Sequence, residues 1–163
     1  MATSLKNLSE YKSEDIPSGD GMTIGIVLAE WNQEITYALL DGAVGTLLKH
    51  GVPEENISIE LVPGSFELPL GAQLIMESSD PDAIICLGCV IQGETRHFDY
   101  ICQGVTQGIS DLNLKYGRPF VFGILTTDTL QQAKDRSGGM HGNKGDEAAI
   151  TALKMVDLKR KLV

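Results

Sequence analysis

Cysteine is scarce and odd in number in this 163-residue chain, with three residues at Cys86, Cys89 and Cys102. An odd count inside apolar stretches argues against a disulfide framework and suits a reducing compartment. Positive charge is scarce as well: 13 lysines and arginines face 22 acidic residues, for a formal net charge of -9. Nucleic acids and anionic membrane surfaces are bound through clustered Lys and Arg, so neither is an expected partner. The one basic cluster, Lys159, Arg160 and Lys161, closes a predicted helix, where cations offset the negative end of the helix dipole. No apolar run approaches the roughly 20 residues of a membrane span, and the amino terminus lacks a basic-then-apolar leader; a cytoplasmic location is expected.

Several familiar motifs are missing too. No G-x-x-x-x-G-K-[ST] occurs, Gly19-Asp20-Gly21 is not followed by the third glycine of a dinucleotide fingerprint, and no G-x-S-x-G marks a serine nucleophile. His50, His97 and His141 show no metal-ligand spacing, so no metal is expected. Cys86 and Cys89 match C-x-x-C, but along a strand positions three apart face opposite sides, and the sulfurs cannot easily converge.

What is present is an α/β pattern. The hydrophobic content of 42% is enough for one core in one domain. Residues 1–21 are polar, with Pro17, Gly19 and Gly21, and read as an arm; residues 22–163 read as a single domain. Strands are predicted at 22–29, 57–62, 83–91 and 120–125, the last apolar on both faces as a buried parallel strand is. Helices are predicted at 33–50, with Asn32 as its cap, at 67–78, from 98 to about 116, at 130–135 and at 146–161, with a glycine-rich break over 137–145. Four βα units in succession predict a three-layer α/β/α sandwich with a four-stranded parallel sheet, flavodoxin-like in arrangement.

In such sheets ligands bind beyond the carboxyl ends of the strands. Three strand ends carry chemistry there: Trp31-Asn32, then Pro63-Gly64-Ser65-Phe66-Glu67, then Gln92 to His97. Gly93-Glu94-Thr95 precedes a helix start, a place suited to an anion such as phosphate, and His97 brings a side chain able to carry protons near neutral pH. Trp31 can stack on a planar ring or cap the core. Glu67 can serve its helix dipole or hold a polyhydroxylated chain. Arg136, just before the glycine break, can grip phosphate with paired donors or lie on a solvated face. Lys144 begins the last helix, where a cation opposes the dipole unless an anion compensates it.

The blocks Trp31-Asn32 with Ile35-Thr36, PGSFELP at 63–69, GCVIQGETRHFDYIC at 88–102, FGILTTDT at 122–129 and GNKG at 142–145 resemble lumazine synthases, in their order and spacing. The resemblance covers residues 24–158. It implies a transferase of riboflavin biosynthesis that condenses two small-molecule substrates, 5-amino-6-ribitylaminouracil and 3,4-dihydroxy-2-butanone 4-phosphate, to 6,7-dimethyl-8-ribityllumazine, releasing phosphate and water. By matching positions, Trp31 would stack on the pyrimidine and the backbones of Val90 and Ile91 would pair with its edge. Ser65, Phe66 and Glu67 would hold the ribityl chain, and Gly93, Glu94, Thr95 and Arg136 the phosphate. His97 would shuttle protons, and no cofactor or metal is implied. Phe122, Arg136 and Lys144 would come from an adjacent subunit, with Phe122 and Lys144 on the pyrimidine and ribityl side. The resemblance also implies a homo-oligomer with sites at its interfaces, a pentamer or a 60-subunit icosahedral shell, and riboflavin synthase as a candidate partner. Met140 stands where some members carry lysine, and His141 reads as surface. A non-catalytic flavin or lumazine carrier on the same fold is the alternative; it would need the stacking ring but neither a phosphate clamp nor a proton-shuttling histidine.

Overall fold

The computed structural model describes residues 13–163. The amino-terminal part of the arm, residues 1–12, lies outside them. Further along, Ile16 packs on the core, and the Gly19 amide donates to the His50 carbonyl at 2.8 Å.

Four parallel strands form the sheet in the order β2-β1-β3-β4, with β1 at Ile24–Ala29, β2 at Ile57–Val62, β3 at Ala83–Ile91 and β4 at Phe120–Thr127. All six residues of β1 are buried, because the strand lies inside the sheet and both its faces meet helices. On one face pack α1 (Gln33–Lys49) and α5 (Lys144–Leu162), joined by the short α4 (Leu130–Lys134). On the other lie α2 (Leu68–Ser79) and α3 (His97–Tyr116). The three-layer α/β/α sandwich expected from the sequence is therefore the fold. Ile24, Ile26, Leu28, Leu39 and Leu153 are fully buried on the α1/α5 face. Each such side chain contributes roughly 1.5–3 kcal/mol of burial.

Cys89 falls on the α1/α5 side and Cys86 on the α2/α3 side, as strand alternation requires. The basic cluster ties the chain to itself. Lys159 Nζ donates to the Gly117 carbonyl at 2.8 Å, and Arg160 reaches Asp82 at 3.3 Å and the Gly21 carbonyl at 3.1 Å. Among the described residues no helix is long and apolar enough to cross a membrane.

β4 is buried on both faces as its composition predicts, Val121 and Leu125 against α1 and α5, Phe120 and Ile124 against α2 and α3; as an edge strand it leaves Phe122 and Thr126 exposed. Two local expectations change. Asn32 holds the cap position of α1, its carbonyl accepting from the Ile35 and Thr36 amides at 2.8 and 3.0 Å, but its backbone is left-handed, φ 60, and its side chain makes no cap hydrogen bond. The helix cap by an asparagine is found instead at Asn143, whose Oδ1 accepts from the Gly145 amide at 2.8 Å. The glycine-rich break is a small antiparallel hairpin, β5 (Ser137–Gly139) with β6 (Gly142–Asn143).

Candidate active site

Strand register creates the site. β1 pairs with β3 only as far as Leu28 with Leu87, whereas β3 continues beside β4 to Ile91 with Thr127. Residues 88–91 thus run past β1 with one flank free of any strand. Asn32 fills part of that flank, its Nδ2 donating to the Cys89 carbonyl at 2.9 Å. The left-handed backbone, which asparagine tolerates better than most residues, turns the side chain sideways into β3.

The remaining space is a cavity of about 660 Å³, lined by Trp31, Asn32, Gly64, Ser65, Phe66, Glu67, Cys89, Val90, Ile91, His97 and Ile101. The three strand ends therefore converge as expected. Trp31 is 73% exposed, which excludes core capping and leaves its ring face free; Phe66, 57% exposed, also stands at the opening. A Cβ on Gly64 would sit 3.1 Å from Glu67 Oε2 and 3.2 Å from the Trp31 ring, so the missing side chain lets these two approach. Glu67 closes a 3-10 turn at Ser65–Glu67 and directly precedes α2. Ser65 is buried, and among the described residues its hydroxyl has no partner; Gly88 leaves it room, since a Cβ there would come within 2.7 Å of Ser65 Oγ. A buried hydroxyl without a partner is costly unless a ligand supplies one.

His97 is the first residue of α3, one position earlier than the apolar spacing predicts. Its amide donates to Thr95 Oγ1 at 3.3 Å, and Gly93, Glu94 and Thr95 form the exposed loop just before it. They lie beside the cavity rather than in its wall. Cys89 is no nucleophile: burial pushes its thiol up to about 12, so it stays protonated. Among the wall residues, His97 and Glu67 are left as groups able to exchange protons.

Phe122, Arg136 and Lys144 are elsewhere. They line a second groove, of about 700 Å³, along the open edge of β4. The groove and the cavity share no lining residue. The hairpin brings its two cations together, the Lys144 amide donating to the Arg136 carbonyl at 2.9 Å. Arg136 Nη1 donates to the Gln132 carbonyl at 3.0 Å. Lys144 meets the compensating anion that its place at a helix start demands, and that anion is a protein carboxylate, Glu147, at 2.5 Å. Residue type alone reveals neither the tie of Asn32 to β3 nor the pairing of Glu147 with Lys144. The i,i+3 spacing of Lys144 and Glu147 was the available signal for the second. Met140 and His141, at the hairpin tip, are exposed.

A parallel α/β/α sandwich with a ring-sized cavity, a free aromatic face and a histidine at the carboxyl edge of its sheet defines a small-molecule enzyme of the doubly wound type. The comparisons give the particular family. Residues 21–160 match the family model for 6,7-dimethyl-8-ribityllumazine synthase. Relatives carrying that name include proteins of Parabacteroides distasonis, 60% identical over 96% of this chain and 98% of the relative, and of Cytophaga hutchinsonii, 60% identical over 96% and 98%. One from Bacteroides fragilis is 62% identical over 83% of this chain and 95% of its own. The chain belongs to the 6,7-dimethyl-8-ribityllumazine synthase family, a family of enzymes, and nothing in the site favours the carrier reading.

Proposed function

We propose that this chain condenses 5-amino-6-ribitylaminouracil with 3,4-dihydroxy-2-butanone 4-phosphate at a site completed between two copies. The observation that carries this reading is the division of the chemistry: stacking and proton-carrying groups line the cavity, while the cations line a separate groove on the free edge of β4. Laying the cavity of one copy against the β4 groove of the next would unite them. Such a contact is heterologous, and when its rotation closes it makes a ring. Exposed Trp31, Phe66 and Phe122 suit burial in it.

In that assembly Trp31 stacks on the pyrimidine, the open flank of Val90 and Ile91 pairs with its edge, and Ser65, Phe66 and Glu67 hold the ribityl chain. Phe122 and Lys144 of the adjoining copy close this half. Its Arg136, with Gly93, Glu94 and Thr95, holds the phosphate. The primary amine attacks the ketone and loss of water gives an imine; phosphate is then eliminated, the enol left behind tautomerises to a carbonyl, and the second amine closes the ring on that carbonyl with loss of a second water. His97 delivers and removes the protons that these steps exchange. A pentamer meets the ring requirement, and a shell of twelve pentamers extends it. Unpaired Cys86, Cys89 and Cys102 suit the reducing cytoplasm, and riboflavin synthase is the candidate to receive the product.

Coexpression of His97→Ala with Arg136→Ala subunits tests the shared site. Random mixing restores about a quarter of intact sites if each draws on two copies. Activity no higher than that of the separate variants refutes the division.

A further inference from the structure

The β4 groove holds two cations and one carboxylate, and their pairing is unequal. Lys144 and Glu147 are 13% and 10% exposed and bonded to each other one helical turn apart. Arg136 has its carbonyl bond to Gln132 and, among the described residues, no carboxylate partner. A dianion entering the groove therefore meets one uncompensated charge, although two cations stand on adjoining backbone. Lys144 with Glu147 is neutral as a unit but still offers ammonium donors and a carboxylate acceptor, a combination suited to hydroxyl and carbonyl groups.

We infer that Glu147 is a specificity-determining residue that sorts the two substrates: by neutralising Lys144 it directs the phosphate to Arg136 and reserves Lys144 for the uncharged, hydroxyl-bearing substrate. The inference rests on the function proposed above. It assigns Glu147 a task beyond offsetting the helix dipole, for which a carboxylate anywhere in the first turn, such as Asp146, serves. Without Glu147 the groove would present two free cations, and phosphate would compete for the place of the ribityl or pyrimidine group.

Inorganic phosphate is the probe, titrated calorimetrically into the assembled protein without substrates. The wild type is expected to take one phosphate per chain, lost in Arg136→Ala. Glu147→Gln should add a second phosphate, or tighten binding roughly ten- to a hundredfold, the worth of a charge-assisted hydrogen bond. Phosphate should then also inhibit competitively against the pyrimidine substrate. Glu147→Asp, which keeps the charge, should behave as the wild type, and Glu147→Gln combined with Lys144→Gln should lose the gain. Wild-type stoichiometry and affinity in a folded Glu147→Gln protein overturn the sorting. So do two phosphates per wild-type chain, a result independent of how the variant folds. A wild type that binds no phosphate refutes the role of Arg136 instead; a Lys144-dependent gain in Glu147→Gln would then still support the sorting, and no gain would end it.

Discussion

Gly145→Ala puts the close crossing of α1 and α5 under direct test. A Cβ at Gly145 would lie 1.9 Å from the Leu39 carbonyl oxygen and 2.7 Å from its carbon. Both are backbone atoms of α1, so no rotamer change can clear them; the helices must part by more than an ångström. That crossing is stitched by Asn143, whose Nδ2 donates to the Ala38 carbonyl at 2.8 Å, and it buries Leu39, Ala43, Ala149 and Leu153. A gap of 0.5–1 Å already forfeits about a quarter to a half of each dispersion contact. Overpacking at a rigid contact costs about 3 kcal/mol, the upper end of the usual range. For a domain of this size the midpoint of thermal unfolding should fall by roughly 6–12 °C. Gly45→Ala supplies the control on the partner helix: a Cβ there meets nothing within 4 Å, and alanine should stabilise by about 0.5–1 kcal/mol through helix propensity. Urea unfolding followed by circular dichroism, at one fixed chain concentration because assembly adds to apparent stability, measures both. A Gly145→Ala protein within about 0.5 kcal/mol of the wild type, the range of ordinary surface changes, would falsify the reasoning. Equal losses at the two positions would do the same.

His97→Ala should fold normally and lose roughly 100- to 10,000-fold in kcat, the usual worth of general acid–base help; steady-state rates equal to the wild type remove it from the mechanism. Emission from Trp31, the one tryptophan of the chain, should fall when the product or the pyrimidine substrate saturates the site, and unchanged emission counts against stacking. Burial pushes both Cys86 and Cys89 up to about 12 and raises Cys102 too, the carboxylate of Asp99 adding to the last. The thiolate form is therefore withheld in mildly alkaline buffer, and a disulfide reagent should label at most one thiol quickly in the folded protein but all three in denaturant; two or more fast thiols contradict the burial.

The strands and helices were legible because their apolar spacing reports directly which faces are covered. The predicted third strand coincides with Ala83–Ile91, and His97 fell within one residue of its helix start. Local rules misled where a tertiary contact outcompeted them. Asn32 looks like a cap by residue type, yet the Cys89 carbonyl across the sheet takes its side chain. Lys144 is a different case: it looks uncompensated when only its position at the helix start is considered, but its partner Glu147 stands three residues on in the same helix, a local signal that residue spacing carries.

Composition and periodicity by themselves determined the layer architecture, the parallel sheet and the edge at which Trp31, Ser65, Glu67 and His97 gather, since these follow from hydrophobic pattern and chain connectivity. The order β2-β1-β3-β4 and the overrun of β3 past β1 are matters of register, which no local window contains. Only the tertiary structure could decide that Phe122, Arg136 and Lys144 line the far edge of the sheet, in a groove separate from His97, because that depends on which strand is left without a neighbour.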